Sequence, residues 1–279
     1  MTVARIDARF AVLKAKNQAG FVAYVMAGDP DAATALAILK ALPAAGADII
    51  ELGFPFSDPM AEGPPIQRAA LRALKTGMTL RGTLDLVRGF RETDQATPIV
   101  LMGYLNPLMT YGFEAFASDA ATAGVDGLIV VDCPPEESDP LADALDAAGV
   151  ALLRLATPTS DDARLAVVVR RTAGFVYYVS VAGVTGVKEA DAVLVAPAVA
   201  RVRAASGLPV AVGFGIKTPE RAAAVARIAD AVVVGSVLVD EIADAVAMNL
   251  SPVSKVVESA ARLAQAVHSA RVDQATVQA

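Results

Sequence analysis

Eight short, β-branched apolar runs recur along the chain, separated by Ala-rich amphipathic stretches. They are FVAYVMA (21–27), DIIELG (48–53), PIVLMGY (98–104), DGLIVVD (126–132), VALLRLA (150–156), FVYYVS (175–180), PVAVGF (209–214) and DAVVVGS (230–236). Continuous apolar runs without polar alternation mark strands buried on both faces of a parallel sheet. The stretches at 31–46 and 135–149 open on Asp or Pro and close on Gly, as helices do. Eightfold alternation predicts an α/β fold, a (β/α)8 barrel with an N-terminal helix and an extra helix after strand two. An open doubly wound sheet is the alternative, and it would carry a Gly-rich dinucleotide turn after its first strand. Here that turn is AGDPD (27–31), with one glycine. The 279 residues hold no linker or low-complexity segment before the tail, so 1–279 is expected to be one barrel domain. Residues from about 252 continue the last helix and then turn polar. A small internal echo, AGAD (45–48), AGVD (123–126) and IAD (228–230), joins helix ends to strands by one kind of turn.

Composition narrows what such a barrel can do. The net charge of −6 disfavours phosphate backbones and anionic membranes as partners. Although 55% of the residues are hydrophobic, the longest charge-free stretch (95–113) is broken by prolines and glycines, so it reads as strand plus loop rather than a membrane span. The N-terminus MTVARIDARF lacks an apolar signal core, and a soluble, cytoplasmic protein is expected. A single cysteine, Cys133, permits no internal disulfide and no cysteine metal cluster. The single histidine, His268, lies in the polar, Ala-rich tail and reads as solvated. No metal site is expected. Chemistry must then rest on carboxylates, hydroxyls, lysines or backbone amides.

Strand spacing singles out one region. Strand two to strand three takes about 50 residues, against about 21 to 34 elsewhere. The excess holds the loop GFPFSDPMAEGPP (53–65), on the face where barrel active sites are built. Prolines 55, 59, 64 and 65 stiffen it, and Asp58 and Glu62 add acids. Glu51 lies inside strand two. Its direction is open, because both strand faces are apolar, and it is either a buried ion pair with Arg154 or a proton-transferring acid raised by burial. Glycines end strands six to eight, in VAGVTG (181–186), GFGIKTPE (213–220) and GSVLVDE (235–241). Loops after strands seven and eight, with a helix N-terminus, suit a phosphate. Thr185, between two glycines, suits a lid. No strand carries a Schiff-base lysine, and the Rossmann fingerprint is absent. Metal-free acid–base chemistry on a small phosphorylated substrate remains.

The run ELGFPFSDPMAEGPPIQRA (51–69), with VSVAGVTG (179–186), GFGI (213–216) and VGS (234–236), resembles the tryptophan synthase α subunit family. The resemblance implies a barrel lyase that cleaves indole-3-glycerol phosphate to indole and glyceraldehyde 3-phosphate by a retro-aldol step. It implies no cofactor in this chain, and a β subunit partner holding pyridoxal phosphate in an α2β2 heterotetramer. By resemblance Glu51 is the proton-shuttling acid. Glu62 stands where the family's ADGP has Asp, one methylene longer, and would stabilise positive charge at the indole N–H. Tyr177 matches an active-site tyrosine. Tyr24, Tyr104 and Phe214 would line the indole pocket, and Thr185 falls on the lid threonine. Gly186, Gly215, Gly235 and Ser236 match the phosphate-binding positions. Asp58 and Asn106 fall in segments that face the β subunit. Two other readings stay open, a barrel isomerase acting on another sugar phosphate and a non-catalytic subunit that binds ligand and activates a partner.

Overall fold

The computed structural model describes residues 4–180, 192–213 and 215–271. Helix α1 (Ala4–Ala15) precedes strand β1 (Gly20–Met26), helix α2 (Ala32–Ala41) and strand β2 (Ile49–Gly53). Two helices, α3 (Pro64–Lys75) and α4 (Leu80–Arg91), fill the long interval before β3 (Ile99–Gly103). Helices α5 (Leu105–Tyr111) and α6 (Phe113–Ala123) lead to β4 (Gly127–Val130), and a 3-10 turn (Pro135–Glu137) opens α7 (Asp139–Ala148). There follow β5 (Ala151–Ala156), α8 (Asp162–Val168), β6 (Val176–Val179), α9 (Ala192–Ser206) and β7 (Val210–Gly213). Helix α10 (Pro219–Ala226), β8 (Ala231–Val234), α11 (Ser236–Ala247) and α12 (Pro252–Ser269) complete the order. Every strand pairs in parallel with its chain neighbours and β8 returns to β1, closing an eight-stranded barrel. The expected (β/α)8 barrel is the fold, extra helix after strand two included.

Two cores follow from the closed sheet. The outer one lies between strands and helices and takes one set of alternate strand residues, such as Phe21, Ile50 and Leu101. The inner one fills the barrel with the other set, including Val22, Ile49, Val100, Ile129, Leu153 and Phe175. Side-chain alternation along a strand forces this partition. Helix α1 plugs the N-terminal end of the barrel with Ile6, Phe10 and Leu13, and the Phe10 and Phe175 rings sit 5.8 Å apart. Gly20 leaves room for Leu13, whose Cδ1 would lie 2.9 Å from a Cβ there.

Two readings of the sequence need correction. His268 is not a solvated tail residue, because its Nε2 lies 2.7 Å from the buried carboxylate of Asp48. The residues from 252 do not simply continue the preceding helix. Met248 ends α11, and the Ser251 side chain accepts the Ser254 N–H to cap a separate helix, α12. That helix buries Val256, Ala260, Leu263 and Val267 and lies against α10, α11, α2 and β1. It is the outer-ring helix of the eighth unit, whereas α11 lies against α3 and β1. Among the described residues, no helix is long and apolar enough to cross a membrane.

Candidate active site

Register in the barrel settles the direction of Glu51. Ile49, two residues earlier on β2, belongs to the inner core, so Glu51 also faces the barrel interior. Tyr24 is its register partner on β1, and the same parity turns Tyr24 inward after Val22. Tyr177 of β6 follows Phe175, the residue just before that strand, in the same way. Glu51 is 1% exposed. One of its carboxylate oxygens, Oε2, has no hydrogen-bond partner. Arg154, the alternative ion-pair partner, faces the other side of the sheet, donating to the Cys133 carbonyl at 3.4 Å and to the Ser138 hydroxyl. Glu51 is therefore not a structural ion pair with Arg154.

Above it, the β2 loop is tied down on two sides. The Phe54 N–H donates to the Met102 carbonyl, at 2.9 Å. The Ala61 N–H donates to the Tyr104 hydroxyl at 2.9 Å, and the Phe56 ring stacks on Tyr104 with centroids 5.1 Å apart. The Gln67 side-chain amide donates to the Glu62 carbonyl at 2.9 Å. Glu62 is thus held half-buried at the mouth. Burial pushes it up to about 7. Deeper burial, with the charge of Glu62 close by, pushes Glu51 up to about 8. Burial first, then the fields of these two acids, holds the Tyr24 and Tyr177 phenols well above their ordinary range. Tyr104 is raised chiefly by burial. Two carboxyl groups that keep protons near neutrality, ringed by un-ionised phenols, can give and take protons at one substrate.

Strand-end glycines make this aromatic ring possible, a role the sequence reading missed. A Cβ on Gly53 would lie 2.2 Å from the Tyr24 hydroxyl, and one on Gly213 2.1 Å from the Tyr177 hydroxyl. A Cβ on Gly103 would meet the Phe54 ring at 2.3 Å. The available signal was glycine as the last residue of β2, β3 and β7. Gly235 has a double duty: it lies against the Tyr24 ring, where a Cβ would come within 3.1 Å, and it caps α11 without a side-chain bond. With no acid in its first turn, α11 presents free N–H groups and the positive end of its dipole at Gly235 and Ser236. Gly215, two residues past the end of β7, is exposed with φ +75°. Asp58 and Asn106 are exposed at the same end of the barrel. Thr185, Gly186 and Phe214 lie outside the described residues.

Comparison with known proteins shows the family. Residues 10–268 match the family model for the tryptophan synthase alpha chain. The tryptophan synthase alpha chain of Phenylobacterium zucineum is 76% identical over 97% of this chain and 98% of its own length. That of Caulobacter vibrioides is 74% identical over 98% and 99%. Among solved structures, tryptophan synthase subunit alpha from Legionella pneumophila superposes with a TM-score of 0.88 at 40% identity, covering 94% of this chain and 98% of that one. The Mycobacterium tuberculosis tryptophan synthase gives 0.85 at 37% identity, covering 95% and 98%. The chain belongs to the tryptophan synthase alpha chain family, which cleaves indole-3-glycerol phosphate to indole and glyceraldehyde 3-phosphate in tryptophan biosynthesis.

Proposed function

We propose that Glu51 and Glu62 are the acid–base pair of this cleavage. The reaction places a proton on indole C3, removes one from the side-chain hydroxyl and breaks the bond between those carbons, with no net proton change. Glu51, raised to about 8, is protonated at neutral pH and can protonate C3. The carboxylate so formed can then accept the hydroxyl proton as the carbon–carbon bond breaks. Glu62, raised only to about 7, is the more readily ionised of the two and stabilises the positive charge that develops at the indole N–H. Its extra methylene relative to Asp is accommodated by a loop pinned through Ala61 and the Glu62 carbonyl. Tyr177, Tyr24 and Tyr104 form the walls of the indole slot, a role that the family resemblance extends to Phe214. The α11 N-terminus at Gly235 and Ser236 takes the phosphate, a role that the family resemblance extends to Gly215 and Gly186, with Thr185 as the lid threonine.

The carrying observation is the pair of raised carboxyls facing one barrel mouth. The same reading assigns the chain a tryptophan synthase β subunit as partner, in an α2β2 heterotetramer whose pyridoxal phosphate lies in that subunit. This chain brings no cofactor of its own, and the reaction belongs in the cytoplasm, in keeping with a chain of one cysteine. The test is indole release from indole-3-glycerol phosphate, with β subunit added, by the natural chain and Glu51→Gln. A loss of about a thousandfold is expected, in the middle of the range for removing a general acid–base group. Equal rates would remove Glu51 from the mechanism.

A further inference from the structure

Glu62 must stand at a fixed distance from Glu51, yet the helix that follows it has little to stop it sliding. Helix α3 begins immediately after Glu62–Gly63 and buries Ile66, Ala69, Ala70 and Ala73 against its neighbours. Three alanines in four buried positions make a smooth face with few knobs to set axial register. The Arg68–Asp240 pair toward α11 is exposed, at 3.3 Å, and holds little. At the end of α3 the Thr76 hydroxyl donates a long bond, 3.4 Å, to the Gly28 carbonyl in the loop after β1, and a contact of another kind joins the same loop to the helix. Asp29, in the loop after β1, is wholly buried, and both its oxygens accept from Arg72 of α3, from Nε and Nη2, at 2.7 Å each. Burying that carboxylate is unfavourable enough to raise it above its ordinary value despite the guanidinium beside it. Buried ion pairs contribute little net stability, and setting register is their best-attested use. A bidentate fork is also the geometry that fixes both distance and angle.

We propose that the Asp29–Arg72 fork is a positioning device for the cleavage reaction, fixing the axial register of α3 and so the place of Glu62 over Glu51. Neither residue touches the substrate. The β1 loop supplies the fixed end: the Asp29 N–H donates to the Met26 carbonyl at 3.3 Å, and Met78, just past α3, sits against Gly28, where a Cβ would come within 2.7 Å of it. The Tyr104 hydroxyl holds the loop from the β3 side at Ala61, so α3 and Tyr104 together bracket Glu62. A slide of α3 by one residue's rise, about 1.5 Å, would carry the Gln67 amide and the Glu62 carbonyl with it. Misplacement on that scale is enough to slow a reaction about a hundredfold.

The inference rests on the acid-pair reading above, and its test keeps the two apart. Arg72→Lys retains the charge that neutralises Asp29 but loses the fork. With β subunit added, kcat for indole release is expected to fall at least about tenfold, with KM within about threefold, because the phosphate and indole contacts are elsewhere. A merely structural role would not move the pH profile, but displacement of Glu62 does. Glu51 must be protonated to act, and the charge of Glu62 helps hold it up, so the alkaline limb of kcat/KM moves to lower pH in Arg72→Lys. Tyr24, Tyr104 and Tyr177 also face the pair, and all three are raised, so none titrates across this range. Asp29→Asn is read in the same assay and keeps the question open to test if Arg72→Lys does not fold. Natural kcat and an unmoved limb in a folded variant would overturn the proposal, as would losses matching the unfolded fraction alone. Failure of the natural chain to release indole, or full activity in Glu51→Gln, would instead sink the acid-pair reading.

Discussion

The cost of the site is concentrated in one residue. Glu51 has its folded-state value raised from 4.5 to about 8, so the folded chain binds a proton that the unfolded chain has released between those values. Stability tied to this group is present below about pH 4.5 and is lost as pH rises toward about 8. Glu51→Gln should therefore raise the melting temperature, by little at pH 5 and by more at pH 8. A gain of about 4 kcal/mol at pH 8, with roughly 2–4 °C for each kcal/mol in a chain of this size, is expected. Calorimetry at the two pH values decides it, and a gain independent of pH would contradict the burial argument. Gly53 makes a second residue-scale case. A methyl there collides with the Tyr24 hydroxyl, so Gly53→Ala should lower indole release about tenfold by displacing the phenol toward the acids. In a Tyr24→Phe background the same change should cost less, with a coupling of about 1 kcal/mol in a double-mutant cycle. The inward direction of Glu51 was not legible in the sequence, because IIELG is apolar on both faces and only the closed sheet assigns parity. Gly53 was legible as a glycine but not as the space for a ring 29 residues earlier in the chain.

The elements repeat a device that the sequence showed only as an echo. Asp48, Asp126 and Asp230 stand immediately before β2, β4 and β8, and each accepts a backbone N–H from the preceding strand. The donors are Phe21, Ile99 and Val210, at 2.8, 2.8 and 2.9 Å. Each carboxylate also meets a cation or the histidine: Asp48 with His268 and Arg9, Asp126 with Arg91 and Arg5, Asp230 with Arg203. Adjacent strands are thus stitched at the N-terminal end, away from the mouth. Asp126 with Arg91 is the most buried of these pairs, and burial lowers Arg91 against the opposing pull of Asp126. Asp126→Ala should cost about 3 kcal/mol, since it strands a buried guanidinium. The urea midpoint should fall at unchanged slope, with indole release per folded molecule preserved. A lowered rate per folded molecule would show that the two ends of the barrel are coupled. Strands were readable from their β-branched runs and the turn Asp residues from their spacing. The role of His268 was not, because its partner Asp48 lies 220 residues away, and that of α12 was not, because it closes on α2 and β1 at the start of the barrel as well as on its neighbours α10 and α11.

On the scale of the whole molecule, the acids, the helix end proposed to bind phosphate and the proposed partner surface share the C-terminal end of one barrel. The loop that carries Glu62 also carries Asp58 and Met60, and Met60 is 81% exposed. The neighbouring α5 carries Asn106 and Met109, the latter 62% exposed, and Tyr104 joins the two segments through its stack on Phe56 and its bond to Ala61. A large exposed apolar side chain in each of two linked segments fits a surface that a partner covers. It also gives a partner mechanical access to the acid, because pressure on either segment reaches Glu62 through Tyr104. Met109→Asp separates binding from catalysis, since α5 is remote from both carboxyls in the chain and its side chain points to solvent. The β subunit should bind this variant about tenfold more weakly, roughly 1.4 kcal/mol, read as a shifted midpoint when β subunit is titrated into the indole assay. The rate of the isolated chain should stay within about twofold. An unshifted midpoint would move the partner surface off α5, and a lost basal rate would mean that α5 shapes the pocket directly. The shift without the loss is the result that ties activation to docking at this end of the barrel.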